Sequence, residues 1–211
     1  MHKIYSQVFE RDPKVTTGKS WEAWFDLLDK AMAEEMSHEE INAMMLKQAY
    51  LNSFGECWAV AITVGYEFIK GWQVQHLGPI TGFGLGAQKL LPIDSDPLWQ
   101  VLTAGEGLKI WLGSGLEGLR FERGNRYETA EGTRGEISSI NPGQELRLTW
   151  KPADWDNDST LQLYLMTKDG KTFLRFYHKK LTGPAQRKEM KVHWQIVLGQ
   201  IEALVNRDNN G

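Results

Sequence analysis

The chain has 211 residues, 41% hydrophobic and 24% charged, ordinary for a soluble globular protein with room for one large core or two modest ones. Residues 1–78 carry 7 Lys+Arg against 11 Asp+Glu and the remainder is nearly neutral, so neither part has the basic footprint that nucleic acid binding needs. The single cysteine, Cys57, excludes an intramolecular disulfide; with no apolar run near the roughly 20 residues of a membrane span and no apolar secretion signal after Met1, a cytoplasmic protein is expected.

The first part reads as three helices. Ser20 precedes Trp21, Trp24, Phe25 and Leu28, a stripe at helical spacing. Ser37-His38-Glu39-Glu40 and Ser53-Phe54-Gly55-Glu56 both have the capping-box pattern, in which a serine accepts a backbone N–H and a glutamate returns to the serine's own N–H. They predict helices carrying Ile41, Met44 and Met45, then Trp58, Ala59, Ile62, Tyr66 and Ile69. Cys57 reads as a small core residue of the third helix. Gly18-Lys19-Ser20 imitates the end of a phosphate-binding loop, but Pro13 stands where the first glycine is required. After Gly71, His76-Leu77-Gly78-Pro79 reads as a connector, giving domains at 1–78 and 79–211.

The second part opens on Thr81–Ala87, where Gly82, Gly84 and Gly86 share one face of a predicted strand; no βαβ unit surrounds them, so they are not a dinucleotide fingerprint. A helix at Asp96–Leu102, an apolar stretch at Leu108–Leu112 and a loop marked by Gly113, Gly115 and Gly118 follow. Strands are predicted at Leu119–Glu122 and Arg126–Thr129. A hairpin turning at Pro142-Gly143 would set Ile137 opposite Leu148, Gly135 opposite Trp150 and Ser139 opposite Leu146. Asp154, Asp156 and Asp158 mimic the start of a calcium loop, but Ser159 replaces its glycine and Leu165 its glutamate, which leaves a solvated acidic loop. The second hairpin, turning at Asp169-Gly170, sorts by chemistry: Leu165 with Leu174, Leu163 with Phe176 and Leu161 with His178 on one face, Tyr164 with Arg175 and Gln162 with Tyr177 on the other. After Pro184, residues Met190, Trp194, Val197, Leu198, Ile201, Leu204 and Val205 form one helical stripe, with His193 off it and exposed. Lys179, Lys180, Arg187, Lys188 and Lys191 read as a solvated helix entrance.

Gly135-Glu136-Ile137, Asn141-Pro142, Leu148-Thr149-Trp150, Phe176-Tyr177-His178 and Trp194 resemble the START-like, or SRPBCC, superfamily over residues ~81–206, in the branch related to the C-terminal domain of the heat-shock-protein-90 ATPase activator. Thr17-Gly18-Lys19-Ser20-Trp21 and Val64-Gly65-Tyr66-Glu67 are similar to a small bacterial helical domain of unknown function that commonly precedes it, with Cys57-Trp58 departing from an expected pair of tryptophans. The resemblance implies an α+β helix-grip fold: a curved antiparallel sheet around a long C-terminal helix, often with a cavity for an apolar or aromatic small molecule, here after an N-terminal three-helix domain. It does not imply one activity.

The candidate ligand-binding residues are Trp111, Phe121, Trp150, Leu163, Phe176, His178 and Trp194, which either line such a cavity or fill the core. His178 ends the inward face, where it either anchors a ligand or is a rim histidine satisfied by backbone or water. The row of Tyr164, Arg175 and Tyr177 would receive the N-terminal helices or a partner, or face solvent. No nucleophile–base or metal constellation stands out, so the expectation is a non-enzymatic, cofactor-free binding protein for an apolar or aromatic small molecule. The alternatives are a co-chaperone-like module with a protein partner, and a cyclase or hydrolase using His178 and a water.

Overall fold

In a computed structural model describing residues 12–72 and 83–208, the chain divides into two units, Met1–Gly84 with Thr182–Arg187, and Leu85–Leu181 with Lys188–Gly211. The connector His76–Pro79 and the glycine at position 82 lie outside the described residues.

The first unit is helical: α1 (Lys14–Thr17), α2 (Trp21–Lys30), a 3-10 turn at Ala33–Glu35, α3 (His38–Leu51) and α4 (Glu56–Ile69). Ser20 caps α2 by accepting from Ala23 N, and the Ser37–Glu40 capping box forms in full at α3. The second predicted box does not form. Helix α3 runs on to Leu51 and Ser53 takes a left-handed φ of 56° in the turn that follows, so α4 begins after Gly55 with no side-chain cap. Cys57 then falls in the first turn of α4 and is exposed rather than in the core. The core is an aromatic chain, Trp21 to Phe25 to Tyr66 to Trp72, and Trp24 Nε1 donates to Thr17 Oγ1 at 2.7 Å. Arg187, expected in solvent, is 3% exposed. Its guanidinium lies 3.5 Å from the Trp72 ring centroid and Nη2 donates to the carbonyl oxygens of Glu34 and Met36. Planar guanidinium stacks on aromatic faces and is weakly hydrated, which is why it tolerates this burial better than an ammonium.

The second unit is a six-stranded antiparallel sheet in the order β1-β6-β5-β4-β3-β2. Its strands are β1 (Phe83–Leu91), β2 (Arg126–Glu128), β3 (Arg134–Asn141), β4 (Glu145–Trp150), β5 (Ser159–Lys168) and β6 (Lys171–Leu181). Because β1 and β2 sit on opposite edges, their connection must cross the sheet, and it carries α5 (Ser95–Thr103) and α6 (Gly105–Trp111). The long helix α7 (Pro184–Asp208) opens on a proline, whose fixed φ and missing N–H suit a first helical position.

The β5–β6 register matches the pairing expected from Asp169-Gly170 at every position from Lys168↔Lys171 to Leu161↔His178. Both turn residues have positive φ, 54° and 70°, the geometry whose twist suits a tight hairpin. The β3–β4 hairpin differs from expectation. Gln144 N donates to Asn141 O around Pro142 and a Gly143 of φ 76°, which is type II geometry. That turn splays strands, so the loop takes a third residue, Asn141 faces Glu145, and Ser139 faces Arg147 instead of Leu146. A bulge between Ile137 and Ser139 absorbs the extra residue and restores Ile137↔Leu148. Leu119–Glu122 forms no strand; the stretch is irregular and only half-buried at Leu119 and Phe121. All seven residues of the predicted α7 stripe are buried.

Candidate functional site

The inward face of β4, β5 and β6 meets α6 and α7 in an aromatic seam. Phe176 stacks on Trp194 at 4.5 Å between centroids and 17° between planes, and Trp111 of α6 lies 6.0 Å from Phe176. Trp150 approaches Trp194 at 6.1 Å and meets the His178 ring edge-on at 5.1 Å. Of the seven residues selected from sequence, Trp111, Trp150, Leu163, Phe176, His178 and Trp194 are buried, and the five rings among them fill this seam. Phe121 stands apart in the irregular stretch before β2, with no ring contact to the others among the described residues.

His178 is fully buried, not at the rim, and its partners are side chains. Trp194 Nε1–H donates to Nδ1 at 3.2 Å, which fixes the tautomer with hydrogen on Nε2; that nitrogen donates to Ser159 Oγ at 2.7 Å, and Ser159 in turn donates to Trp150 O. Burial, with His193 adding to it, pushes the His178 pKa from 6.5 down to about 3. The unfolded chain takes up a proton that this folded imidazole refuses. Its contribution to stability is therefore complete above pH 6.5 and is lost as pH falls toward 3, by at most ~1.4 kcal/mol per pH unit. Urea midpoints between pH 6.5 and 4.5 should fall less steeply for His178→Gln than for the parent; equal slopes would contradict the neutral, buried imidazole.

Three neighbours of the seam were not legible as such. Trp155, in the acidic loop, is buried, packs edge-on against Trp150 at 5.5 Å and lies parallel to His178 at 6.0 Å. A tryptophan inside an otherwise solvated acidic run was the available signal. Ser159 carries the hydrogen bond relay just described. His193, expected in solvent, is half-buried, its ring 4.7 Å from Trp194, and burial holds its pKa below the usual histidine value. On the opposite sheet face Arg175 and Tyr177 are buried and Tyr164 is half-buried, so that row is not a solvent-facing surface.

A separate pocket of about 300 Å³ opens beside α6, lined by Thr103, Leu108, Leu116, Leu119 and the glycine loop, with the Lys109–Glu117 ion pair (3.5 Å) at its rim. Gly113, Gly115 and Gly118 all have positive φ, which lets the loop fold back over Leu108. Glu131 pins this loop by accepting from Ser114 N at 3.1 Å and from Ser114 Oγ; the same hydrogen bonds hold its carboxyl down to about 2. A second, charged trough of about 570 Å³ runs along the β2–β3 edge past Arg126, Glu128, Arg134 and Asp158. Among the described residues no cluster of His, Cys, Asp or Glu could hold a metal ion, and no helix is long and apolar enough to cross a membrane.

The family model described as Activator of Hsp90 ATPase homolog 1-like protein matches residues 93–206. Protein MLL2253 from Mesorhizobium loti is 19% identical, with a TM-score of 0.52 over 59% of this chain and 97% of that one. CalU16 from Micromonospora echinospora is 18% identical, with a TM-score of 0.50 over 59% and 76%. PFC0360w, an HSP90 activator from Plasmodium falciparum, is 20% identical, with a TM-score of 0.49 over 58% and 96%. No curated protein matches the chain.

Proposed function

We propose, from the premise that the chain belongs to the activator of Hsp90 ATPase homolog 1-like family, that its START-like domain is a non-covalent binding module for an apolar small molecule, held in the pocket beside α6. The family assignment supports a ligand-binding or Hsp90-activator-like module. The observation that carries the finer reading is the contrast between two regions. The seam under α7 is occupied by the protein's own rings, whereas Leu108, Leu116 and Leu119 surround about 300 Å³ of open space under a glycine loop. Such a volume lies at the lower end of small-molecule sites. His178 supports no catalytic reading, because both its nitrogens are engaged and no part of it is exposed.

A second reading, docking of a protein partner, is favoured by Val192 and Ile196, which stand one turn apart on α7 at 52% and 56% exposure.

Native mass spectrometry of the full chain purified without detergent, followed by titration with octanol, tests the pocket reading. Octanol should bind, shift the methyl resonances of Leu108 and Leu116, and lose affinity about tenfold when Leu119→Trp fills the space. Unmoved methyl resonances across the titration would refute it.

A further inference from the structure

Helix α7 carries a second apolar row besides its buried stripe. Val192 and Ile196, 52% and 56% exposed, continue into Gly199 and Ala203, which are also exposed. Steps of four, three and four residues keep these positions on one line along the helix. The bulk of the row is uneven: branched side chains stand at its N-terminal end, a glycine and an alanine at its C-terminal end, with nothing within 4 Å of a carbon added at Gly199. Bulk at one end and room at the other is self-complementary for two such helices running in opposite directions.

The charges beside the row obey the same symmetry. Glu189 and Arg207 are 18 residues apart, about five turns, so they share one flank; Lys191 and Glu202, 11 residues apart or about three turns, share the other. Each flank thus has one acid and one base, at opposite ends. Glu189 and Lys191 are in no ion pair among the described residues, while Arg207 and Glu202 reach Glu106 and Lys89 at 2.7 Å from partly or well exposed positions.

We propose that this face binds a second copy of the chain, with the two α7 helices antiparallel about a twofold axis that passes between Ile196 and Gly199. In that register Val192 meets Ala203 of the second copy and Ile196 meets its Gly199, and every contact occurs twice. Glu189 then comes opposite Arg207 on one flank and Lys191 opposite Glu202 on the other, in the manner of the flanking pairs of a coiled coil. A parallel pair would set Ile196 on Ile196 and hold Glu189 roughly 27 Å from Arg207. One helix pair of this length buries no more than the ~1,200 Å² at the low end of specific interfaces, so the dissociation constant is on the order of 100 μM. The proposal rests on the docking reading of Val192 and Ile196, gives that face its partner, and is independent of the pocket beside α6.

Sedimentation equilibrium of the full chain from about 10 μM to about 1 mM should show a reversible monomer and dimer. Glu189→Lys and Arg207→Glu should each weaken the dimer about fivefold, and the two together should restore it to within about twofold, because only the antiparallel register brings these residues together. Gly199→Leu adds apolar surface but fills the space of the second copy's Ile196, so it should weaken the dimer about fivefold or more. All three positions are exposed on α7, and circular dichroism confirms that each variant is folded. A chain that stays monomeric up to about 1 mM would overturn the proposal, and octanol binding by that monomer would leave the pocket reading standing. A dimer that the charge swap does not rescue, or that Gly199→Leu tightens, would overturn it as well, since the copies would then meet elsewhere or by unspecific apolar contact.

Discussion

Replacing Trp194 with alanine is expected to lower stability by about 5 kcal/mol. Two losses combine. The ring is fully buried, stacked on Phe176 at 4.5 Å and within 6.1 Å of Trp150, so truncation opens a cavity that these rigid aromatic neighbours cannot collapse into. Large-to-small changes of this kind cost about 3–5 kcal/mol. The indole N–H also leaves His178 Nδ1, whose other nitrogen is already committed to Ser159 and which no water can reach. An orphaned buried acceptor adds about 1–3 kcal/mol. Trp194→Phe separates the terms, since it retains most of the stack and loses only the donor; a loss of about 1–2 kcal/mol is expected there. Urea denaturation followed by circular dichroism measures both. If Trp194→Ala costs less than about 2 kcal/mol, the seam is not the tightly filled layer described above.

The elements most legible in the sequence were those set by local rules. Asp169-Gly170 fixes a turn that only residues tolerant of positive φ can make, and a period of two then carries the register along the whole of β5 and β6. The Ser37–Glu40 box is likewise complete within four residues. The same pattern at Ser53 failed because the preceding helix ran on and used that serine in its exit, a competition that the motif alone does not register. Ser139 was misplaced by one residue because Pro142-Gly143 adopts a type II turn, whose extra loop residue and compensating bulge leave no sign in hydrophobic alternation. The burial of Arg187 and Trp155 depends on partners distant in the chain. Period and alternation could nominate Leu163, Phe176 and Trp194 for the inward side, but not foresee that their volumes would close on one another. Only the summed shapes of side chains from β4, β6, α6 and α7 decide whether space remains.

Gly135 offers the sharpest test of close approach within the sheet. It lies on β3 opposite Tyr127 of β2, in the register shared by Ile137↔Leu148 and the Arg134↔Lys151 bridge, so Trp150 is across from it on the other side. A Cβ added here would stand 1.9 Å from Thr149 O, 2.8 Å from Thr149 C and 2.7 Å from Tyr127 Oη. The obstacle is mostly backbone. The Thr149 carbonyl is itself held by the Tyr127 hydroxyl at 2.8 Å, so it cannot tilt away without breaking a part-buried hydrogen bond that ties β2 to the sheet. Gly135→Ala is therefore expected to cost about 3 kcal/mol and to free the β2 edge first, raising hydrogen exchange at Tyr127 and Glu128 ahead of the rest of the sheet. The same chemical change at Gly199, on the exposed face of α7 with nothing within 4 Å of the added carbon, should instead stabilise by about 0.5–1 kcal/mol through the better helix propensity of alanine. Opposite signs from one methyl group would show that β3, β4 and β2 meet at backbone distance. A neutral Gly135→Ala would mean that these strands have room to separate, and that Trp150 is not held against α7 by the sheet beneath it.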